Sequence, residues 1–355
     1  MKLYDILTKT SESGIKLQRD NGSMPPGHNG PYHIDETPVR NTSHWLITFL
    51  KAYEISGDKR YKKAAKKATQ YLLSEEARSH RHTFHHLKTD GKKCNGLIGQ
   101  AWTVEALLKA SEYLDQDELV ETAAEVFKMH KFYESRGLWY IKEIDGRDLS
   151  IDFVFNHQLW FAAVGSMFDK NKYPEIHRKV KTFMENLESN LGIYKDGLIK
   201  HPVSYIPLNK KGIRRFLSKV KWTIFRKKKR KNCAGYHPFN LYGFALLKEN
   251  YPEISFWDSE KFKKTIDFVL NKKSLEMMKE SEYGFDYNVC GIEVAYSLNK
   301  FCDDKESVEK KYLEEQLNRN YDFEKNLLCK NTTDQNTLSA RIYEATRLPN
   351  YVLKI

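Results

Sequence analysis

The sequence of 355 residues lacks the features that identify several large classes of protein. It contains no apolar run of about 18 residues, so it predicts no membrane-spanning helix. The opening stretch, MKLYDILTKTSESGIKLQRD, lacks the apolar core and small-residue cleavage site of a signal peptide, so we expect a cytoplasmic protein. No glycine-rich phosphate-binding motif is present either. The sequence therefore gives no support for nucleotide chemistry, and we predict no cofactor.

Cysteine is scarce and is not arranged in pairs. The five cysteines are Cys94, Cys233, Cys290, Cys302 and Cys329. Their number is odd and none is spaced as CxxC, which favours reduced thiols over disulfides. The histidine-rich stretch HRHTFHH, from His80 to His86, does not match the spacing of a closed zinc site and is typical of a solvated loop. We therefore predict no disulfide framework and no bound metal.

Acidic residues are missing from one segment, and this segment accounts for the net charge of +12. Between Ser204 and Asn232 there are twelve Lys and Arg residues and no Asp or Glu. Without these twelve, the 59 basic residues fall to 47, which equals the number of acidic residues. The excess charge therefore belongs to one segment, and a nucleic-acid-binding fold is not indicated.

The same segment carries an apolar stripe at helical spacing. The stripe consists of Ile213, Phe216, Leu217, Val220, Ile224 and Phe225. A helix with one apolar and one basic face is typical of segments that bind anionic membranes, where each basic residue contributes roughly 1 kcal/mol. We therefore predict peripheral binding to the inner membrane face through residues 210–231. The alternatives are an acidic polymer as partner or an exposed loop without a partner.

Six segments of the chain begin alike, with an asparagine at or near the start of an apolar run. These residues are Asn41, Asn95, Asn156, Asn240, Asn288 and Asn336. Five of the segments are followed by a more charged pattern with one apolar stripe, which predicts an outer helix packed on an inner one. The amino-terminal helix and the last inner helix each lack a partner, so pairing them closes a ring. The pattern predicts an all-α fold, an (α/α)6 toroid, with an open helical solenoid as the rival.

The spacing of the asparagines also predicts where the repeat is interrupted. Asn240, Asn288 and Asn336 are 48 residues apart, whereas 84 residues separate Asn156 from Asn240. We therefore predict a single toroid domain over residues 1–355, with residues 203–233 as a basic amphipathic insertion in the fourth hairpin.

In a toroid, the loops that lead into the inner helices should line a central funnel, where function is often found on a rigid scaffold. The stretch SIDFVFNHQLWFAA, from Ser150 to Ala163, places polar side chains before and among aromatic ones, as sugar sites often do. The plain alternative is a helix start capped by Asp152 or Asn156. Candidate substrate-binding residues are Asn156, His44, Trp45, Trp102, Gln158, Trp160, Tyr236, His237, Asp286, Asp334 and Arg341.

The hairpin repeat resembles the six-hairpin glycosidases. GHNGPYHIDETPVRNTSHWLITFLKAYEISGD, CNGLIGQAWTVEAL and FNHQLWFAA are similar to glycosidase-like proteins of surface-polysaccharide and glycan assembly, over nearly the full chain. More distantly, IDFVFNHQLWFAA resembles unsaturated glucuronyl hydrolases and places their catalytic Asp at Asp152 and their Asn at Asn156. The resemblance implies that Asp152 protonates the sugar's double bond and then helps to activate water. Cys94 and Asn95 stand where that family has its second Asp, with Asp90 nearby in a loop.

Glycoside hydrolysis usually needs two carboxyl groups, one of them an acid with a raised pKa. The aromatic neighbours of Asp152 fit that acid, and His157 is a candidate for proton transfer. The candidates for the second carboxylate are Asp90, Asp35, Asp286 and Asp334. We therefore predict a glycoside hydrolase acting on a uronate-containing or related surface oligo- or polysaccharide.

Two other functions remain open from the sequence. Tyr236 with His237 would favour a lyase or an epimerase, with Arg341 pairing with the uronate carboxylate. A funnel with only one acidic residue would instead favour a protein that binds a glycan within an assembly complex and does not catalyse a reaction.

Overall fold

The chain folds into an (α/α)6 toroid in a computed structural model that describes residues 1–205 and 226–355, except for the side chains of residues 226–228. The inner helices are α2 (Val39–Ser56), α4 (Gly96–Ser111), α6 (Phe155–Gly165), α9 (Arg226–Asn250), α12 (Cys290–Phe301) and α14 (Gln335–Ala340), the last continued by a 3-10 helix at Arg341–Arg347. The outer helices are α1 (Leu3–Leu17), α3 (Lys59–Leu72), α5 (Asp117–Lys128), α7 (Pro174–Glu185) with the short α8 (Leu187–Asn190), α10 (Glu260–Leu270) with α11 (Lys272–Lys279), and α13 (Glu306–Asn320). The predicted fold is confirmed.

Inner and outer helices differ in how much of their surface is buried. In α4, every residue is buried except Lys109 and Ser111. The outer helix α3 instead buries one side, which includes Tyr61, Ala64 and Leu72. A helix that is apolar all round must be covered by other helices, whereas an amphipathic helix can face water on one side. The hydrophobic pattern of each segment thus decides whether it lies inside or outside the ring.

The ring of inner helices is closed. The first four inner helices each contact the next one along the chain, and α12 contacts the 3-10 helix that continues α14. This 3-10 helix and α14 both contact α2. The two termini are joined beside this contact, where the Leu3 amide donates to the Tyr351 carbonyl and the Leu353 amide donates to the Met1 carbonyl, both at 2.9 Å. The predicted pairing of the amino-terminal helix with the last hairpin is therefore confirmed, and an open solenoid is excluded.

Two small antiparallel sheets lie in the loops between helices. Strands β1 (Phe132–Tyr133), β2 (Leu138–Lys142) and β3 (Asp148–Ile151) connect α5 to α6, and β4 (Tyr321–Asp322) pairs with β5 (Leu327–Leu328) between α13 and α14. Tyr140 pairs with Ile151 across β2 and β3. This register fixes the chain immediately before α6, so Asp152 is held between a strand and a helix.

The predicted insertion at residues 203–233 lies mostly outside the described residues, as do all six residues predicted to contact a membrane, Ile213, Phe216, Leu217, Val220, Ile224 and Phe225. The fourth inner helix, α9, begins at Arg226, so the end of the predicted insertion is part of that helix. Arg230 pairs with Asp196, and Lys231 lies 3.4 Å from Glu280. Within residues 1–205 and 226–355, no helix has both the length and the apolar character needed to cross a bilayer.

Candidate functional site

The amino-terminal ends of the inner helices and the loops before them form one side of the toroid. We call the group of side chains there the funnel, and its members are Asn29, Tyr32, Arg40, Trp102, Asp152, His157, His201, Tyr236 and Tyr287. Asn29, Arg40, Trp102, Asp152 and Tyr287 are buried, and the other members are at least partly exposed. The Arg40 guanidinium lies 4.3 Å from the ring of Trp102, which joins α2 to α4. The Leu97 amide at the start of α4 donates to Asp152, which precedes α6.

Contacts between aromatic rings connect the remaining side chains of the funnel. The rings of His201 and Tyr236 are 4.8 Å apart, and those of Tyr32 and Tyr287 are 6.3 Å apart. The Tyr287 hydroxyl donates to Asn29 Oδ1 at 2.8 Å, and the same oxygen accepts from Arg40. Side chains from several hairpins therefore meet around one surface, as the toroid predicts.

Asp152 and His157 form a hydrogen-bonded pair on this wall. His157 Nδ1 lies 2.8 Å from Asp152 Oδ2, which also accepts from the Leu97 amide at 3.1 Å. Asp152 Oδ1 accepts from the Val154 amide at 3.2 Å. Gln158, from the first turn of α6, fixes the Asp152 backbone because its amide nitrogen donates to the Asp152 carbonyl at 2.8 Å. Asp152 is nearly inaccessible, whereas the His157 side chain is 22% exposed.

The surroundings of Asp152 lower the pKa of its carboxyl group. Burial alone would raise this pKa, but the ring of His157 and the amides of Leu97 and Val154 stabilise the carboxylate more strongly. The sequence led us to expect a general acid with a raised pKa at Asp152. The structure places a carboxylate there instead, because the aromatic neighbours desolvate the group less effectively than its hydrogen-bond donors stabilise its charge.

The start of α4 is shaped to fit this pair. Asn95 and Gly96 both have a left-handed backbone, with φ of 56° and 65°. A Cβ atom at Gly96 would lie 2.7 Å from Asp152 Oδ2 and 3.1 Å from His157 Nδ1. Glycine is therefore needed here for its backbone conformation and for its small size. Cys94 and Asn95, which precede this glycine, supply no carboxylate to the pair.

Next to this pair, the wall is formed by His201 and a group of tyrosines. Burial lowers the pKa of His201 to about 4, and its Nδ1 has no partner among the described residues. The hydroxyl groups of Tyr32 and Tyr236 are 2.6 Å apart. Burial raises the pKa of Tyr236 well above its usual value, so the hydroxyl stays protonated. Tyr283 stacks on Tyr236 with ring centres 5.2 Å apart and extends this aromatic surface.

Arg40 presents unpaired hydrogen-bond donors in the centre of the molecule. It is fully buried, and its Nη1 donates to Glu36 at 3.0 Å and to Asn29 at 3.1 Å. Its Nε and Nη2 have no partner with hydrogen-bond geometry among the described residues. Buried donors without partners are costly, so Arg40 is a candidate for polar contacts made through bound water or a ligand.

Arg341, which the sequence suggested as the partner of a uronate carboxylate, already has carboxylate partners. Its Nη2 lies 2.7 Å from Glu293 and 2.6 Å from Glu344, its Nε donates to Glu344 at 3.0 Å, and its Nη1 donates to Asn288. Burial raises the pKa of both Glu293 and Glu344. All three guanidinium nitrogens are thus occupied, and a substrate carboxylate would have to displace internal partners.

Several other predicted substrate-binding residues are engaged in the core. Trp45 packs against Gly14 of α1, and the Trp160 indole donates to the Phe239 carbonyl at 3.0 Å. His237 accepts from the Ile199 amide and pairs with the Thr265 carbonyl. These internal contacts give Trp45, Trp160 and His237 a structural role, and their binding role stays a prediction. Gln158 is similar, because both of its polar atoms also bind the backbone of Trp139.

The predicted aspartates are spread around the rim. Asp90, a candidate for the second carboxylate, is exposed on a loop. Asp286 forms two 2.7 Å hydrogen bonds with Arg319, and Asp334 accepts from the amides of His28 and Gly30. The carboxylates of Asp286 and Asp334 therefore fix neighbouring loops.

His44 and Asn156 are buried deeper, below the funnel wall. The His44 ring stacks on Tyr343 at 4.3 Å and meets Trp102 edge-on at 5.3 Å. Neither of its nitrogens has a partner among the described residues. Asn156 is 2% exposed, and its Oδ1 also has no described partner. Both residues remain candidates for polar contacts made through bound water or a ligand.

Sequence reasoning missed Arg40, Asn29, Tyr32 and His201 as members of the funnel. Arg40 lies beside one of the repeated asparagines, Asn41, and that position was the available signal. Within residues 1–205 and 226–355, no group of three or more His, Cys, Asp or Glu side chains is arranged to hold a metal ion.

Comparison with known proteins supports the six-hairpin assignment. No family model matches the chain. Its fold is similar to that of a D-mannose isomerase, with a TM-score of 0.65 and 16% identity, covering 98% of this chain and 97% of the other. It is also similar to that of an unsaturated glucuronyl hydrolase specific for heparin, with a TM-score of 0.63 and 15% identity over 97% and 96% of the two chains. At such low identity these likenesses show the fold, and the predicted six-hairpin toroid is confirmed.

A curated relative is much closer in sequence. Archaeal glycosylation protein Q of Haloferax volcanii is 40% identical over 363 aligned residues, which cover 98% of each chain. Because the similarity spans both proteins almost completely, the chain described here belongs to the family of archaeal glycosylation protein Q.

Proposed function

We propose that this protein is a carbohydrate-active enzyme that uses His157 to move a proton on an acidic sugar of a surface glycan. The observation that carries the proposal is the hydrogen-bonded pair of Asp152 and His157 on the funnel wall. A glycan substrate agrees with the name of the relative in Haloferax volcanii, which is a glycosylation protein.

The pair sets the tautomer of the histidine. Asp152 is held as a carboxylate and can only accept, so Nδ1 of His157 must carry the hydrogen. The neutral ring then has its lone pair on Nε2, for which there is no hydrogen-bond partner among the described residues. A histidine oriented in this way by a carboxylate is suited to act as a general base.

The groups next to His157 fit a reaction that removes and returns a proton. His157 would take a proton from a sugar carbon next to a carbonyl or carboxyl group, and the protonated ring would stay paired with Asp152. The Tyr236 hydroxyl stays protonated, so it can donate a hydrogen bond or a proton but cannot act as a base at neutral pH. This chemistry is that of an isomerase, an epimerase or a lyase.

Arg40 supports an acidic sugar as the substrate. Its Nε and Nη2 point along one edge of the guanidinium, which is the edge that binds a carboxylate through two hydrogen bonds. Trp102 lies against the same group and supplies an apolar surface. Arg40 therefore takes the role that we had predicted for Arg341.

Hydrolysis is the second candidate function. Asp152 stands where unsaturated glucuronyl hydrolases have their catalytic aspartate, and this match favours hydrolysis. Against it, the carboxyl group is ionised, and Asp90, a candidate for the second carboxylate, is on an exposed loop. A hydrolase acting through Asp152 would need the bound substrate to raise this pKa.

The two candidates are separated by incubating the protein with uronic acids and uronate oligosaccharides in heavy water. An isomerase or an epimerase places deuterium in a saturated sugar without cleaving a linkage, and a lyase cleaves a linkage and creates a double bond. Hydrolysis through Asp152 instead consumes the double bond of an unsaturated sugar as the linkage is cleaved, and it leaves deuterium at the former double bond. We expect His157→Gln and Asp152→Asn to lower the rate by about 10²–10⁴-fold, since positioned bases contribute that much. Asp145→Asn, which alters an exposed pair with Arg147, is the matched control. Equal turnover by wild type, His157→Gln and Asp152→Asn would remove this pair from the mechanism.

We also propose, from the sequence alone, that residues 210–231 bind the protein to the cytoplasmic face of an anionic membrane. Sedimentation with anionic liposomes tests this, using wild type, a deletion of residues 210–231, and the double variant Phe216→Ser with Ile224→Ser. We expect the deletion to abolish binding and the double variant to weaken it, because both the charge and the apolar stripe contribute. Equal binding by wild type and the deletion would refute the proposal.

A further inference from the structure

A second cavity lies at the opposite end of the toroid, at the carboxyl-terminal ends of the inner helices. Its volume is about 670 Å³, and its lining includes Lys51 of α2, Lys109 of α4 and Asn250 of α9. None of its lining residues belongs to the funnel. We call it the distal cavity, and its size is sufficient for a sugar-sized ligand.

The distal cavity contains a buried carboxyl group whose hydrogen bonds are incomplete. Glu105 lines the cavity with a side chain that is only 1% exposed, and Arg347 Nη2 lies 2.8 Å from its Oε1. Despite this short distance, neither carboxyl oxygen has a partner with hydrogen-bond geometry among the described residues. Burial raises the pKa of Glu105 to about 7, although Arg347 opposes this shift. A buried polar group of this kind normally has a partner, so an additional ligand or water is expected here.

The remaining charges of the distal cavity largely cancel. Lys51 pairs with Glu54 and Lys109 pairs with Glu112, each at 2.5 Å, and Glu249 pairs with Lys300 at 2.9 Å. The lining also holds one further acidic and one further basic residue, Asp169 and Lys172. Charges that are already paired give little attraction for an anion or a cation. An ionic ligand is therefore not favoured.

The distal cavity also has an apolar side. It is formed by Ile47, Leu108, Val120, Met167 and Phe168. Sites that bind small polar molecules commonly combine such a surface with a few polar groups that fix the orientation of the ligand. The C–H face of a sugar ring suits an apolar wall, and its hydroxyl groups suit polar atoms that can both donate and accept.

We propose that the distal cavity is a second binding site that takes a neutral sugar or polyol. A hydroxyl group can accept from the Arg347 guanidinium while it donates to a Glu105 oxygen, which completes the hydrogen bonds of both. Because the charges around the distal cavity cancel, we expect its ligand to be uncharged. The site is independent of the chemistry in the funnel, since it shares no residue with it.

The test is a titration of the full-length protein with methyl α-D-mannoside and methyl β-D-glucoside, followed by calorimetry or ligand-observed NMR. Ser111→Trp places a bulky side chain at a half-buried lining position and should abolish binding. Arg347→Met should weaken binding at least tenfold by removing the guanidinium donor. His157→Gln, on the opposite end of the toroid, should not change this binding.

These variants also distinguish a protein that fails to fold from a proposal that is wrong. If Arg347→Met does not fold, as judged by circular dichroism, Ser111→Trp still tests the site from its rim without removing a buried charge. Binding that is lost in His157→Gln and kept in Ser111→Trp would place the glycoside in the funnel and overturn the proposal. A wild-type protein that binds neither glycoside saturably would overturn it as well.

Discussion

At the residue scale, the neighbours of an ionisable group determine its chemistry more than its residue type does. Asp152 and Glu105 are both buried carboxyl groups, yet the pKa of Asp152 is lowered and that of Glu105 is raised to about 7. Asp152 accepts hydrogen bonds from two backbone amides and a histidine, whereas Glu105 has one imperfectly aligned arginine. Desolvation raises the pKa of both carboxyl groups. The number of well-aligned hydrogen-bond donors therefore decides whether the pKa is finally raised or lowered.

The role of Arg40 predicts how a variant discriminates between substrates. Arg40→Met should raise KM for an acidic sugar by about 10–100-fold, because a hydrogen bond to a charged group contributes about 1.5–3 kcal/mol. The expected effect on a neutral sugar is smaller. Steady-state kinetics of both substrates measure this, with Arg319→Met, which alters the rim pair with Asp286, as the control. An equal rise for both substrates, or for both variants, would contradict a carboxylate-binding role.

Buried histidines predict a loss of stability in acid. Burial lowers the pKa of His237 to about 4, whereas an unfolded histidine titrates near 6.5. Below about pH 6.5 the unfolded state therefore binds a proton that the folded state does not, and stability falls as pH decreases towards 4. At pH 5 the penalty from this group alone is about 2 kcal/mol.

Urea unfolding at pH 7 and pH 5 tests this for His237. His237→Gln should be less stable than wild type at pH 7, since it disturbs the contacts to Ile199 and Thr265, but it should lose less stability between the two pH values. His80→Gln, at an exposed position, should follow the wild-type profile. An unchanged difference between pH 7 and pH 5 in His237→Gln would show that His237 is not the titrating group.

At the scale of secondary-structure elements, the start of α4 connects backbone conformation to the candidate site. Gly96 has a φ of 65° and lies against Asp152. Gly57, after α2, has a similar φ of 70°, but a Cβ there would meet no atom within 4 Å. The two glycines therefore separate the cost of a left-handed backbone from the cost of crowding the site.

Gly96→Ala and Gly57→Ala should behave differently. Both should lower the free energy of unfolding by about 1–2 kcal/mol, because a left-handed backbone disfavours alanine by that amount. Only Gly96→Ala should also reduce activity, since its methyl group would displace the Asp152 carboxylate or the His157 ring. Activity assays and urea unfolding of both variants measure this. Equal activity of the two variants would show that the start of α4 does not position the pair.

At the scale of the whole molecule, the stability of the toroid depends on joining its ends. The amino-terminal helix is covered by the last hairpin, and the final residues form an isolated bridge between Lys2 and Val352. Tyr351 and Leu353, on either side of Val352, are 7% and 2% exposed. Val352 itself is 62% exposed. The carboxyl terminus thus acts as a short strand that holds α1 in the ring.

Removal of residues 351–355 should lower the free energy of unfolding by at least about 3 kcal/mol, because two large buried side chains and the terminal hydrogen bonds are lost. Val352→Ala should have little effect, since this side chain faces water. Urea unfolding of both proteins is the measurement. If the truncated protein unfolds at the same urea concentration as wild type, closure of the ring does not contribute to stability.

The sequence by itself determined the toroid and one part of the candidate site. Helical periodicity is a local property, so the hairpins and their inner and outer helices could be predicted from apolar spacing. Asp152 and His157 could be identified together because they lie in one short segment between β3 and α6. Their proximity needs no knowledge of the rest of the chain.

Only the tertiary structure decided which of the other polar residues are available to a ligand. Arg40 and Arg341 are both buried arginines near starts of inner segments, but Glu293 from another hairpin occupies Arg341, while two nitrogens of Arg40 remain unpaired. The donors that stabilise the Asp152 carboxylate likewise include the Leu97 amide, which lies 55 residues away in the sequence. Partners that are distant in the sequence determine the charge of these side chains and whether a ligand can reach them. The helical periodicity of the sequence does not reveal those partners.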